Sequence, residues 1–147
     1  ILERLAYQSH LPKSCMRVLA NGVFDIFHIG HLLYLEAASQ MGDWLVVSVT
    51  RNEHVKKGPT RPMFDQEQRA SIIRALRCVD EVIFSDDALD ALEIVKPDIF
   101  VKGDDYRAKG LLKEEIDLCA ELDIDIKFTR PNKITTTSII ERIKCTS

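Results

Sequence analysis

Short β-rich apolar runs alternate with longer amphipathic stretches along almost the whole chain, and this alternation restricts the folds open to it. Arg17–Ala20 (RVLA) reads as a first strand, with Asn21-Gly22 as the turn that follows. Gly30–Met41 carries apolar residues at helical spacing, and Gly42 stands where a helix C-cap is expected. Trp44–Val49 (WLVVSV) is nearly all apolar, as a strand covered on both faces should be. Asp65 reads as the N-cap of a helix reaching about Arg77, and Val79–Phe84 as the next strand. A helix from Asp87 to Val95 is broken by Pro97, and Asp98–Lys102 (DIFVK) is again a strand. Leu111–Leu122 is helical, Ile124–Phe128 is a strand and Thr136–Lys144 is a closing helix. Strand and helix repeated in this way require right-handed crossovers and helices on both faces of a sheet. The expected fold is a Rossmann-like α/β three-layer sandwich with a mainly parallel, five-stranded sheet. Such sheets bind ligands beyond the carboxyl ends of their strands, which directs attention to the loops after strands one, two and four.

A chain of 147 residues fits one domain over 1–147, with 1–16 as a lead segment. Its 46% hydrophobic residues can fill one core and its 29% charged residues can coat it. With 20 basic and 23 acidic residues the net charge is −3, so the strong positive field of a general nucleic-acid binder is missing. That balance leaves room for a small anionic ligand held by local cations. No apolar run approaches the ~18 residues of a membrane span. Ile1–His10 mixes acidic, basic and polar residues, unlike a signal peptide. A soluble, cytoplasmic protein with no membrane or nucleic-acid partner is expected. Cys15, Cys78, Cys119 and Cys145 form no C-x-x-C pair, so buried reduced thiols are expected rather than disulfides or a zinc site.

The most informative stretch is Asn21-Gly22-Val23-Phe24-Asp25-Ile26-Phe27-His28-Ile29-Gly30-His31, which follows the first strand. Histidines three apart share one face of a helix. Free backbone amides in the first turn, with the helix dipole behind them, favour an anion. Gly30 would let a ligand approach the backbone closely. The arrangement suits a polyphosphate whose charge is being redistributed. A lone histidine is more often a hydrogen-bonded structural residue than a catalyst, and the residues alone leave both readings open. A zinc-protease motif is excluded because H-E-x-x-H needs a glutamate and i to i+4 spacing; the G-x-G-x-x-G dinucleotide fingerprint is absent.

His28-Ile29-Gly30-His31, led by Gly22-Val23-Phe24-Asp25, resembles the H-x-G-H signature of the cytidylyltransferase-like nucleotidyltransferases. The resemblance runs over roughly Arg17 to Ile143 and includes further motifs in the family's order. Leu35-Glu36-Ala37-Ala38 and Gly42-Asp43 match the first helix and its exit. Lys56-Lys57-Gly58 with Arg61-Pro62 resembles the triphosphate-side loop, and Gln68-Arg69 opens the next helix. Arg77 before Val79-Asp80, the run Val101-Lys102-Gly103-Asp104-Asp105-Tyr106, Arg130 and Thr135-Thr136-Thr137 complete the set.

The resemblance implies transfer of a nucleotidyl group from an NTP, ATP or CTP, to a small phosphorylated sugar or polyol, with release of pyrophosphate. It implies direct in-line attack on the α-phosphorus, so that catalysis reduces to positioning and charge stabilisation. His28, His31 and Lys57 are the implied catalytic residues. Gly22, Val23, Phe24, Asp25, Gly30, Lys56, Gly103, Asp104, Asp105, Arg130, Thr135, Thr136 and Thr137 are implied at the nucleotide. Arg69 and Arg77 are implied at the acceptor. Mg²⁺ would share the triphosphate charge without a protein metal site, and the resemblance allows a homodimer. Lys57-Gly58, Arg61-Pro62, Val101-Lys102-Gly103 and Tyr106 look most like the adenylyltransferase domain that makes ADP-heptose. Asp104-Asp105, the Arg77–Val82 run and Arg130 look like glycerol-phosphate cytidylyltransferases, the alternative reading. A catalytically silent nucleotide-binding module would be expected to have lost a histidine or the lysine loop, and both are intact.

Overall fold

The computed structural model describes residues 15–130 and 136–146. Strands β1 (Arg17–Gly22), β2 (Trp44–Thr50), β3 (Glu81–Ser85), β4 (Ile99–Lys102) and β5 (Asp125–Phe128) form one sheet. Helices α1 (Ile29–Ser39), α2 (Gln66–Arg74), α3 (Ala88–Val95), α4 (Asp105–Lys109), α5 (Lys113–Glu121) and α6 (Thr136–Thr146) connect or follow them, with a 3₁₀ turn at Asn52–His54. The strand order is β3-β2-β1-β4-β5, and all four pairings are parallel. The chain winds outward from β1 to β3 and then returns to lay β4 on the other side of β1. The strand order therefore reverses between β1 and β4, the switch point at whose carboxyl edge sheets of this kind bind ligands.

Alternation along the central strands feeds two cores. Val18 and Ala20 of β1 pack with Val47, Val49 and Val101 against Leu35 and Ala38 of α1 and Ala70 and Ile73 of α2. Leu19, Val46 and Phe100 face the opposite layer, against Leu92 and Val95 of α3 and Cys119 of α5. Each large aliphatic or aromatic side chain fully buried in this way contributes about 1.5–3 kcal/mol. The helix starts are set locally. The carboxylate of Asp65 accepts from the Gln68 amide at 2.9 Å, and that of Asp87 from the Asp90 amide at 2.8 Å.

The structure departs from the sequence expectation at several points. Asn21-Gly22 is not a turn: β1 continues through both residues, in register with Ser48 and Val49. The chain turns later, with Phe24 (φ 53°) and Ile26 (φ 48°) in the left-handed region. Gly42 does not cap α1, which ends at Ser39 with Gln40 as C-cap. Its role is space, since a Cβ there would stand 2.6 Å from Val18 Cγ2 and 2.8 Å from the Met16 carbonyl oxygen. Helix α2 stops at Arg74 because the Ala75 and Leu76 amides turn back to Ile72 and Ile73. Helix α4 lacks the apolar periodicity that would reveal it. The four cysteines are free thiols, but only Cys119 is buried; Cys15 and Cys78 are half-buried and Cys145 is exposed. Among the described residues, no helix is long and apolar enough to cross a membrane.

Candidate active site

The two histidines of the loop after β1 bind each other's backbone. His28, in extended conformation, is the N-cap of α1, and its Nδ1 accepts from the Gly30 amide at 3.0 Å. In return the His28 amide donates to His31 Nδ1 at 3.3 Å. The imidazoles stack with centroids 3.9 Å apart and planes 26° from parallel. Because both Nδ1 atoms accept, the proton of each neutral ring resides on Nε2. Each ring therefore carries an Nε2–H donor held in a fixed tautomer. His28 Nε2 is buried and has no hydrogen-bond partner among the described residues. One consequence differs from the sequence reading: the first-turn amides of α1 are not all free, because His28 itself takes the Gly30 amide.

The surroundings keep these rings uncharged. Phe24 meets His31 edge-on at 5.5 Å, and Phe27 lies against it at 5.4 Å. Burial, then the neighbouring His28 and Lys57 charges, push the His31 pKa down to about 3 against a smaller opposing effect of Asp25. Burial also lowers the pKa of His28. At neutral pH His31 is a dipolar donor rather than a cation. The sign for stability follows. The folded pKa lies below the unfolded value near 6.5, so the contribution of His31 is fully present above about pH 6.5 and is lost as pH falls toward about 3. Nitrogen-detected NMR of the ligand-free protein should show His31 neutral from pH 8 to about 5. A protonation midpoint near the ordinary histidine value would contradict this environment.

Opposite the histidines runs the loop after β2. Lys56 and Lys57 are exposed, and Gly58 adopts φ 100°, a backbone state that suits only glycine. Although Lys57 is exposed as a residue, desolvation of its ammonium and then the Arg61 charge lower its pKa. Asp25 is only 1% exposed. Its carboxylate accepts from Arg61 Nε at 2.9 Å and from the Met63 and Phe64 amides at 2.8 and 3.1 Å. Burial alone would raise the Asp25 pKa, but these hydrogen bonds and the Arg61 charge hold it below the usual carboxylate value. Asp25 thus clamps this loop to the histidine loop instead of facing the nucleotide.

Arg69 also differs from the sequence reading. It is 1% exposed, and its guanidinium donates to the carbonyls of Phe64, Val23 and Thr50 and to Asn52 Oδ1 at 2.8–3.0 Å. Four of its five N–H donors bond to loop backbone or Asn52 and the side chain is buried, so Arg69 braces the site and is not open to an acceptor. Arg77 lies between α2 and β3, at the amino edge of the sheet. It shares a groove with Leu33, Glu36 and Gln40 of the α1 region, away from the histidines. Gly22 serves packing, since a Cβ there would stand 3.0 Å from Cε2 and Cζ of Phe24. Val23 contributes the carbonyl that Arg69 holds, Phe24 is a core residue, and Gly30 is buried in the first turn of α1.

On the other side of the switch point, Gly103 and Asp104 are half-buried after β4, and Asp105 begins α4. Tyr34 of α1 donates its hydroxyl to the Val101 carbonyl at 2.5 Å, tying the histidine helix to β4. Lys102 lies 3.5 Å from Glu115 and over the Tyr106 ring at 4.1 Å. Arg130 is exposed beyond β5, Thr136 and Thr137 open α6, and Thr135 lies outside the described residues. The structure therefore brings His28, His31 and Lys57 to one mouth, with Asp25 behind them. Arg61, which the sequence placed in the triphosphate-side loop motif without a role of its own, and Tyr34, which the sequence did not single out, belong to the same constellation. The loop motif does not reveal the buried carboxylate partner that fixes the guanidinium. Among the described residues no group of three or more His, Cys, Asp or Glu side chains could hold a metal ion.

Paired neutral imidazoles and a cationic loop stand together at the switch point of a doubly wound parallel sheet, the place where α/β domains of this class bind their ligands. The chain belongs to the cytidylyltransferase-like family, whose model matches residues 19–142. It is 39% identical over 134 residues to the bifunctional protein HldE of Syntrophotalea carbinolica, covering 86% of this chain and 26% of that protein. It is 43% identical over 131 residues to HldE of Campylobacter fetus subsp. fetus, covering 86% of this chain and 28% of that one. The chain thus spans little more than a quarter of these relatives' length. The crystal structure of a lipopolysaccharide core biosynthesis protein from Thermoplasma volcanium is 31% identical, with a TM-score of 0.67, covering 81% of this chain and 99% of that one. A pantoate-β-alanine ligase from Francisella tularensis shares the fold at 17% identity and a TM-score of 0.62, covering 97% of this chain and 74% of that one.

Proposed function

We propose that this domain transfers a nucleotidyl group from an NTP to a sugar phosphate, as an adenylyltransferase that uses ATP and a heptose 1-phosphate-type acceptor. The observation that carries the reading is the buried, unbonded Nε2 of His28 in a stacked pair whose tautomers the backbone fixes. Burial of a donor without a partner costs about 1–3 kcal/mol, which an anionic oxygen bound there would recover. An oxygen of the acceptor phosphate attacks the α-phosphorus while the bond to the bridging oxygen of the β-phosphate breaks. Pyrophosphate leaves with that electron pair, and no bond to the enzyme forms. His28 and His31 donate to oxygens whose charge grows as the phosphorus becomes five-coordinate. Lys57 and Lys56 close on the β- and γ-phosphates, with the α1 dipole reinforcing them. Gly103, Asp104 and Asp105, which follow β4, are assigned to the nucleoside, and Arg130, Thr135, Thr136 and Thr137 to the phosphates. Mg²⁺, when bound, would share the charge of the nucleotide's phosphates. A cytoplasmic setting, where NTPs are held, suits the reaction.

The sugar side of the proposal is supported by the Thermoplasma volcanium structure, described as a lipopolysaccharide core biosynthesis protein. The adenylyl side rests on the resemblance of Lys57-Gly58, Arg61-Pro62 and Val101–Gly103 to the domain that makes ADP-heptose. Pyrophosphate release should be measured with ATP and CTP in parallel, against heptose 1-phosphate, glucose 1-phosphate and glycerol 3-phosphate. Release with ATP and a sugar 1-phosphate is expected. Preference for CTP with glycerol 3-phosphate would replace this reading with the cytidylyltransferase one, and no release from any pair would leave only a nucleotide-binding module. Lys57→Ala should raise the KM for NTP roughly 10–150-fold, the worth of one charge-assisted contact, while altering acceptor KM little. Unchanged NTP kinetics would make this lysine a solvated surface group.

A further inference from the structure

Two anions must meet in the proposed reaction, and the cations identified so far account for only one of them. The triphosphate has the imidazoles and the lysine pair. The incoming phosphate needs a cation of its own, because it must approach a polyanion and be held in line. Neither arginine that the sequence assigns to the acceptor can serve. Arg69 has its guanidinium bound to Phe64, Val23, Thr50 and Asn52, and Arg77 lies at the opposite edge of the sheet. Lys102 stands against Glu115 and over the Tyr106 ring.

Arg61 has different properties. Its side chain is only 8% exposed, and its Nε is fixed on Asp25 Oδ2 at 2.9 Å. Its Nη2 is buried with no hydrogen-bond partner among the described residues. A guanidinium is planar, so anchoring Nε on a buried carboxylate also fixes the direction in which Nη2 donates. Lys56 and Lys57 are exposed point charges on a glycine-hinged loop and suit a triphosphate that must enter and leave. A locked planar donor suits a nucleophile whose position decides the rate.

We propose that Arg61 is the acceptor anchor, its Nη2 donating to the phosphate of the incoming sugar phosphate while Asp25 holds its Nε. This assignment deepens the transfer reading above and rests on it for the identity of the acceptor. It reassigns acceptor recognition from Arg69 and Arg77 to a residue of the loop after β2. Asp25 acts through Arg61 as a positioning residue.

The test uses Arg61→Lys, which keeps a cation beside Asp25 but loses the fork, and Arg61→Gln, which keeps a neutral donor there. With heptose 1-phosphate varied at saturating ATP, each variant should raise acceptor KM roughly 10–150-fold. ATP KM should stay within about threefold. A larger rise in ATP KM than in acceptor KM would move Arg61 to the triphosphate and overturn the assignment, as would unchanged acceptor KM in a variant that melts like the wild type. A second arm does not depend on turnover: inorganic phosphate is titrated calorimetrically into each protein saturated with α,β-methylene-ATP. Weaker phosphate binding by the variants is expected, and equal affinity would overturn the assignment. If the wild type turned over no substrate pair, the transfer reading alone would fall, since the phosphate titration still reads Arg61.

Discussion

His31→Ala should lower kcat about 10²–10³-fold, the usual effect of removing one preorganised donor from a site of developing charge, while nucleotide affinity changes little. His31 presents Nε2–H because its Nδ1 accepts from the His28 amide, and it is uncharged because its pKa sits at about 3. A neutral donor gains most when charge accumulates on the oxygen facing it, which occurs in the transition state. Interactions made only there lower kcat and kcat/KM together and leave ground-state binding nearly intact. His28→Ala should resemble it with an added stability loss of about 0.5–2 kcal/mol, because His28 also caps α1. Steady-state kinetics beside calorimetric nucleotide titration on the same variants checks both. Loss of binding in proportion to rate would make His31 a ground-state ligand, and loss of neither would make it structural.

Asp25→Ala should destabilise the fold by about 3–5 kcal/mol, because it leaves the buried Arg61 cation unpaired and the Met63 and Phe64 amides without an acceptor. At roughly 2–4 °C per kcal/mol, Tm should fall by on the order of 10 °C. The effect has a defined pH dependence. The folded pKa of Asp25 lies below its unfolded value, so the unfolded chain binds more protons on the acid side. The stabilisation is present above about pH 4, the unfolded carboxylate range, and is lost as pH falls through the depressed folded value. Thermal melts of wild type and variant should therefore differ most near neutrality and converge in acid. Equal Tm at pH 7 together with abolished activity would place Asp25 in the chemistry instead of in the scaffold.

The fold was legible in the sequence because its determinants are local. Runs such as Trp44–Val49 and caps such as Asp65 and Asp87 act over a few residues, and their alternation leaves little choice of architecture. The histidine pair was legible for the same reason, since i to i+3 spacing at a helix start brings the rings together wherever the helix lies. What escaped depends on distant partners. Arg69 reads as an acceptor residue from its motif, yet its partners Val23, Thr50 and Asn52 come from the ends of β1 and β2. Asp25 and Arg61 are 36 residues apart along the chain, and their pairing turns an expected nucleotide ligand into a loop clamp. Asn21-Gly22 carries a turn signal that the β1–β2 ladder overrides. Gly42 looks like a cap because it follows a helix, but the closeness of Val18 and Met16 is what requires it.

Nucleotidyl transfer at the histidine mouth predicts a strict product balance. The protein is incubated with ATP labelled at the α-phosphorus and with heptose 1-phosphate, and the products are separated and counted. Label should appear in a nucleotide sugar in equal amount to the pyrophosphate released, with no labelled protein and no ADP formed, and His31→Ala should slow both products alike. Release of ADP or inorganic phosphate in place of pyrophosphate, or label that remains in ATP throughout, would contradict the assignment of this domain as a nucleotidyltransferase.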